Sequence, residues 1–179
     1  NIIDTVKANQ IIAKKCDYPL HIGITEAGFD QSGIVKSATG IGILLYEGIG
    51  DTVRVSLTGD PVKEVLVGQD ILRALGIKKQ GINLITCPTC GRCQVDIYKI
   101  ARKVENNLQD VRLPLTIAIM GCIVNGPGEA KIADFGIAYH KKEAMLFREG
   151  TLIGRYNTRQ ALELLNQEIR IRLKREQSG

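Results

Sequence analysis

Helix and strand alternate through the first 80 residues with only short loops between them, and few folds accommodate that rhythm. Apolar positions Ile2, Ile3, Val6, Ile11 and Ile12 give residues 2–15 a helical period, which closes before Cys16-Asp17-Tyr18-Pro19. Leu20 to Ile24 reads as a short strand, a Gly-rich loop covers 27–33, and 34–47 reads as a helix stopped by Gly48. Thr52 to Leu57 is the second strand, and Asp60-Pro61 opens a helix running to about Leu75, ahead of Gly76. Strands joined through helices in this way run parallel, and parallel strands need both faces covered. Two alone make no stable sheet, so residues 1–80 are expected to be the C-terminal end of a (β/α)8 TIM-type barrel. Asn1 is not a methionine and already lies in the first helix, which agrees with a fragment of something longer. In such barrels the chemistry sits where strands end, which singles out Thr25 and Glu26 after the first strand and Ser56 near the end of the second.

Residues 81–179 have a different texture and are expected to form a second, smaller α/β domain, joined tightly near 77–81. Ile82 to Thr86 reads as a strand, about Val95 to Leu108 as a helix with the stripe Ile97, Ile100, Ala101, Val104 and Leu108, and Pro114 to Met120 as another strand. Asp134 to Tyr139 is a further strand, followed by a hairpin around Glu149-Gly150 and a last helix capped by Thr158, with a basic tail through Arg170, Arg172, Lys174 and Arg175. The balance of 24 basic against 19 acidic residues suits an anionic small substrate or an acidic partner, but is too slight for nucleic acid. Aromatic residues are 4% of the chain, which also argues against base-stacking platforms. The longest apolar run, Ile41 to Tyr46, is too short to span a bilayer, and no leader peptide is visible, so a cytoplasmic location away from membranes is expected.

Four of the five cysteines fall between positions 87 and 122, in two Gly- and Pro-rich loops that directly follow apolar strands. Such loops bring backbone N–H groups close to a bulky inorganic centre. Cys87 and Cys90 are spaced to hold adjacent corners of one centre, and Cys122 returns after one strand–helix–strand excursion. A structural zinc site would want a second Cys-x-x-Cys pair. A thioredoxin-like dithiol would leave Cys122 idle. An iron–sulfur cluster explains most of the pattern. Its fourth ligand is either Cys93, giving an all-thiolate electron-transfer module, or Glu129, a harder and more displaceable donor that leaves an iron open for chemistry. Spacing alone leaves both open.

Arg54 falls within a strand, where it either faces a polar site or pairs with a carboxylate. Gly40-x-Gly42 is no dinucleotide loop, because Leu45 stands where a third glycine belongs and the segment is helical. His21 and His140 are isolated, and Cys16 reads as a small apolar residue near a helix end.

The runs Cys87-Pro88-Thr89-Cys90-Gly91-Arg92, Gly121-Cys122-Ile123-Val124-Asn125-Gly126-Pro127-Gly128-Glu129-Ala130, His21-Ile22-Gly23-Ile24-Thr25-Glu26-Ala27-Gly28 and Arg54-Val55-Ser56-Leu57 resemble, in order, those of the 4-hydroxy-3-methylbut-2-enyl diphosphate synthase (GcpE/IspG) family. The resemblance covers nearly the whole chain. It implies a barrel followed by a sulfite/nitrite-reductase-like cluster domain, and a reductive ring opening of 2-C-methyl-D-erythritol 2,4-cyclodiphosphate in the non-mevalonate isoprenoid pathway. It implies a [4Fe-4S] cluster on Cys87, Cys90, Cys122 and Glu129, with Cys93 outside the ligand set. Asn125 would stand beside the open iron, Glu26 would be the acid/base, and Thr25, Arg54 and Ser56 would bind substrate. The family acts as a homodimer that takes electrons from flavodoxin or ferredoxin. The earlier barrel strands are missing here, so this chain is expected to hold a cluster without turning over alone.

Overall fold

The computed structural model describes residues 1–177, which divide into two compact units, one of residues 1–79 and one beginning at Gln80. In the first unit, α1 (Ile2–Ala13), α2 (Asp30–Tyr46) and α3 (Pro61–Ala74) accompany two short parallel pairs. One pair is β1 (His21–Gly23) with β3 (Thr52–Arg54), and the other is β2 (Gly28–Phe29) with β4 (Leu57–Thr58). Their core is Val6, Ile22, Ile41, Leu44, Val55, Val67 and Ile71. α3 starts where Asp60 accepts the Val62 N–H at 2.9 Å, with Pro61 in the first turn, and Gly76 follows its end at φ +70°.

The expected strand over 52–57 is instead two pieces, because Val55 and Ser56 leave the ladder between β3 and β4. The Gly-rich loop contains β2, and α2 begins at Asp30, four residues earlier than its apolar pattern suggests.

The second unit is one five-stranded sheet in the order β5 (Ile82–Thr86), β6 (Leu115–Met120), β7 (Phe135–His140), β8 (Glu143–Arg148), β9 (Thr151–Asn157). The first three strands are parallel and the last two antiparallel. Alternation along β6 and β7 builds two different cores. Ile117, Ile119, Phe135, Ile137 and Tyr139 form a bulky layer with residues of α4 (Ile97–Asn107) and α6 (Thr158–Gln177). Ala118, Met120 and Ala138 make a thin layer with Ala130 of α5 (Gly126–Lys131). Small residues on that face let α5 lie close to the strands. A methyl group on Gly136 would come within 2.6 Å of Ala130 Cβ and 2.7 Å of its Cα.

Asn157 caps α6, its side chain accepting the Gln160 N–H at 2.9 Å, so the expected cap at Thr158 moves back one residue. Arg170 ties α6 to the segment after α4 through a forked pair with Asp110 (2.7 and 3.0 Å) and a bond to the Asn107 carbonyl. Glu149 and Gly150 both have positive φ (+47° and +79°), which identifies the β8–β9 connection as a type I′ turn. Among the described residues no helix is long and apolar enough to cross a membrane.

The Tyr139 hydroxyl is buried with no hydrogen-bond partner among the described residues, and burial pushes its pKa up. Tyr139→Phe removes an unsatisfied polar atom and keeps the ring. It is expected to raise the unfolding free energy by about 1 kcal/mol, read from urea denaturation.

Candidate metal centre

Because β5 and β6 are parallel neighbours, with Thr86 opposite Ile119, the cysteine loops that follow them leave the sheet at the same end. The first loop folds on itself through Cys90 N–H to the Pro88 carbonyl (2.8 Å) and Cys93 N–H to the Cys90 carbonyl (2.9 Å). It joins the second loop where Gln94 N–H meets the Gly121 carbonyl at 3.0 Å. The segment Gly121–Glu129, read from sequence as a loop, is a loop only to Asn125. From Gly126 it is helix α5, with the Asn125 carbonyl accepting the Gly128 and Glu129 N–H groups.

These elements enclose a cavity of about 470 Å³ whose lining includes Cys87, Cys90, Cys122, Asn125 and Glu129. Arg92 and Met120 also line it. Sequence reasoning passed over both as site residues, although Arg92 sits inside the cysteine motif and Met120 ends the strand that delivers Cys122. Cys93 does not line the cavity: its thiol donates to the Val95 carbonyl at 3.2 Å.

Backbone N–H groups are aimed at two of the sulfurs. Gly121 N–H donates to Cys87 Sγ at 3.1 Å. At Cys122 the N–H of Asn125, then that of Val124, holds the thiol below its ordinary pKa against some opposing burial, with smaller help from Gly126 and the Arg92 charge. Alkylation of Cys122 in the metal-free chain should therefore follow a pH profile with its midpoint lower in the native state than in urea, where that nest is gone. Peptide-resolved iodoacetamide labelling across pH reads this directly.

Three thiols and one carboxylate around a single cavity, with N–H donors aimed at sulfur, fit an iron–sulfur cluster. Among the described residues no group of three or more His, Cys, Asp or Glu converges tightly enough to grip a single metal ion.

In the first unit, Arg54 ends β3 rather than lying mid-strand, and its guanidinium donates to the Thr25 hydroxyl at 2.6 Å, so these two residues meet. Glu26 is exposed and has φ +55°, a conformation uncommon for a residue with a side chain, of the kind that gathers at functional turns. Ser56 is half-buried between β3 and β4, and among the described residues it makes no hydrogen bond to the Thr25–Arg54 pair.

Helix-backed parallel strands followed by a sheet that gathers thiols around one cavity define a two-domain α/β protein with a cysteine-rich centre. The chain belongs to the GcpE family: the family model described as the GcpE TIM-barrel domain matches residues 1–69, and that of the GcpE protein C-terminal domain matches 83–171. The protein named 4-hydroxy-3-methylbut-2-en-1-yl diphosphate synthase (flavodoxin) in Caldanaerobacter subterraneus subsp. tengcongensis is 53% identical over 176 residues, 98% of this chain and 50% of the relative. The protein of the same name in Geobacter sulfurreducens is 58% identical over 149 residues, 83% of this chain and 42% of the relative. That in a Sulfurihydrogenibium species is 53% identical over 169 residues, 94% and 48% respectively. The chain spans about half the length of the curated relatives it matches.

Proposed function

We propose that this chain is the cluster-bearing portion of a 4-hydroxy-3-methylbut-2-enyl diphosphate synthase. Residues 1–80 are then the closing segment of its barrel and 81–179 a sulfite/nitrite-reductase-like cluster domain. The reaction is the ring opening of 2-C-methyl-D-erythritol 2,4-cyclodiphosphate, which takes up two electrons and two protons and releases water. The observation that carries this reading is the gathering of Cys87, Cys90, Cys122 and Glu129 around one cavity beside aimed N–H donors. Those four residues would hold a [4Fe-4S] cluster. When bound, the cluster supplies electrons singly and offers one iron whose carboxylate ligand is more readily displaced than a thiolate.

The remaining work falls to the chain's own side chains. Arg54 offers a forked guanidinium to a diphosphate, steadied by its bond to Thr25, and Ser56 adds a hydroxyl donor. Glu26, in a turn open to solvent, would give a proton to a departing oxygen. Asn125, at the head of α5 on the cavity lining, supplies an amide to the substrate or its displaced oxygen. The full enzyme works as a homodimer and takes its electrons from an acidic carrier, flavodoxin or ferredoxin. This chain, spanning about half the length of the curated relatives, holds the cluster by itself but does not turn over.

Anaerobic reconstitution with iron and sulfide tests the reading. About four irons and four sulfides per chain, with an EPR signal on reduction, support it. Zinc without sulfide overturns it in favour of a structural metal site.

A further inference from the structure

Cys93 is the one cysteine of the two loops that the proposed cluster leaves unused, and its surroundings give it another chemistry. A side chain at residue 121 would collide with Cys93 Sγ, and its Cβ would lie 3.4 Å from Cys93 Cβ and 3.5 Å from Cys87 Sγ. Gly121 N–H is also the donor to Cys87 Sγ. Both sulfurs therefore crowd the position that a residue-121 Cβ would take, which brings them close to one another. Cys90, two peptide turns away, is exposed and faces the cavity.

We propose that Cys87 and Cys93 are a redox pair that closes to a disulfide when the centre is empty, a modification site set by Gly121. The step is thiol–disulfide exchange with a low-molecular-weight disulfide of the glutathione type. The Cys87 thiol loses its proton and attacks the oxidant, releasing one molecule of small thiol and forming a mixed disulfide. Cys93 then displaces the second small thiol. The protein loses two protons and two electrons, and the oxidant gains them. A reversible disulfide keeps Cys87 off the irreversible part of the sulfur oxidation ladder, and a thiol reductant restores it for loading. The disulfide itself does not depend on the proposed function, but its exclusion by a bound cluster does.

The test uses the whole chain, freed of metal with a chelator, incubated anaerobically with glutathione disulfide and digested with trypsin after thiol blocking. Cleavage after Arg92 puts Cys87 and Cys90 on one peptide and Cys93 on the next. Expected is a cross-link between the two peptides that persists in Cys90→Ser and disappears in Cys87→Ser. A Cys87–Cys90 bridge, a cross-link lost in Cys90→Ser, or mixed disulfides alone would overturn the pair. Gly121→Ala, which fills the shared space, should suppress the cross-link while the circular dichroism of the sheet is retained. Repeating the treatment after iron and sulfide loading separates the two claims: protection supports Cys87 as a ligand, whereas equal cross-linking removes it from the ligand set and leaves the redox pair standing.

Discussion

Cys122→Ser is expected to reduce the iron and sulfide retained after anaerobic reconstitution to near background, while Cys93→Ser keeps the wild-type content. Cys122 is the thiol that three successive backbone N–H groups favour as thiolate, and it lies on the cavity lining. A hydroxyl in the same nest is a far weaker ligand for iron, because it stays protonated where the thiol ionises. Loss of a residue that merely orients a metal ligand typically lowers affinity by about 10–100-fold, so loss of the thiolate itself should exceed that. Cys93 lies off the cavity with its thiol bonded to the Val95 carbonyl, and its removal should be silent for loading. Iron and sulfide counts per chain, with EPR of the reduced sample, measure both. A drop in Cys93→Ser equal to that in Cys122→Ser would move Cys93 into the ligand set and favour the all-thiolate electron-transfer module.

Gly136→Ala should damage the centre from a distance. Gly136 is the second residue of β7, and α5 rests on it through Ala130, in the cluster that also holds Ala118 and Ala138. A methyl there overlaps Ala130 itself, backbone included, so α5 must rise off the sheet rather than yield a flexible side-chain tip. Overpacking of this kind costs about 1–3 kcal/mol, measurable as a lower urea midpoint at unchanged m-value. Since α5 carries Glu129, the same displacement should make a reconstituted cluster more labile to air or chelator than in the wild type. Gly128→Ala is the control within the same helix: no atom lies within 4 Å of the added methyl, so neither stability nor lability should worsen.

Much of this architecture could be read from residues. Asp60-Pro61 and Gly76 bracket α3 because a side-chain acceptor, a fixed φ and a left-handed stop are local devices, legible one residue at a time. The apolar stripe of α4 and the hairpin at Glu149-Gly150 were legible for the same reason. α5 was not. Gly126 and Gly128 are poor helix formers, and α5 lies close over Gly136 and Ala138, where a side chain at 126 or 136 would clash. That is a tertiary cause, invisible to propensity. β2 and β4 are two residues each, too short for a period-two pattern.

At the candidate site the four candidate ligands and their loops could be named from motif and resemblance. The place of Cys93 could not, since Cys-x-x-Cys-x-x-Cys spacing fits a ligand and a bystander equally well. The crowding against Gly121 arises only when two loops remote in sequence meet.

The change from parallel to antiparallel pairing across the sheet also orders events in time. β7, β8 and β9 are joined by two-residue turns, so they can pair as soon as they are made, with little loop entropy to overcome. β5 must wait for α4 and the long excursion to β6 before any of its bonds can form. The strand that delivers Cys87 and Cys90 thus pairs across the widest sequence gap in the sheet and is expected to join last, so that the centre would be completed at the slow edge of folding.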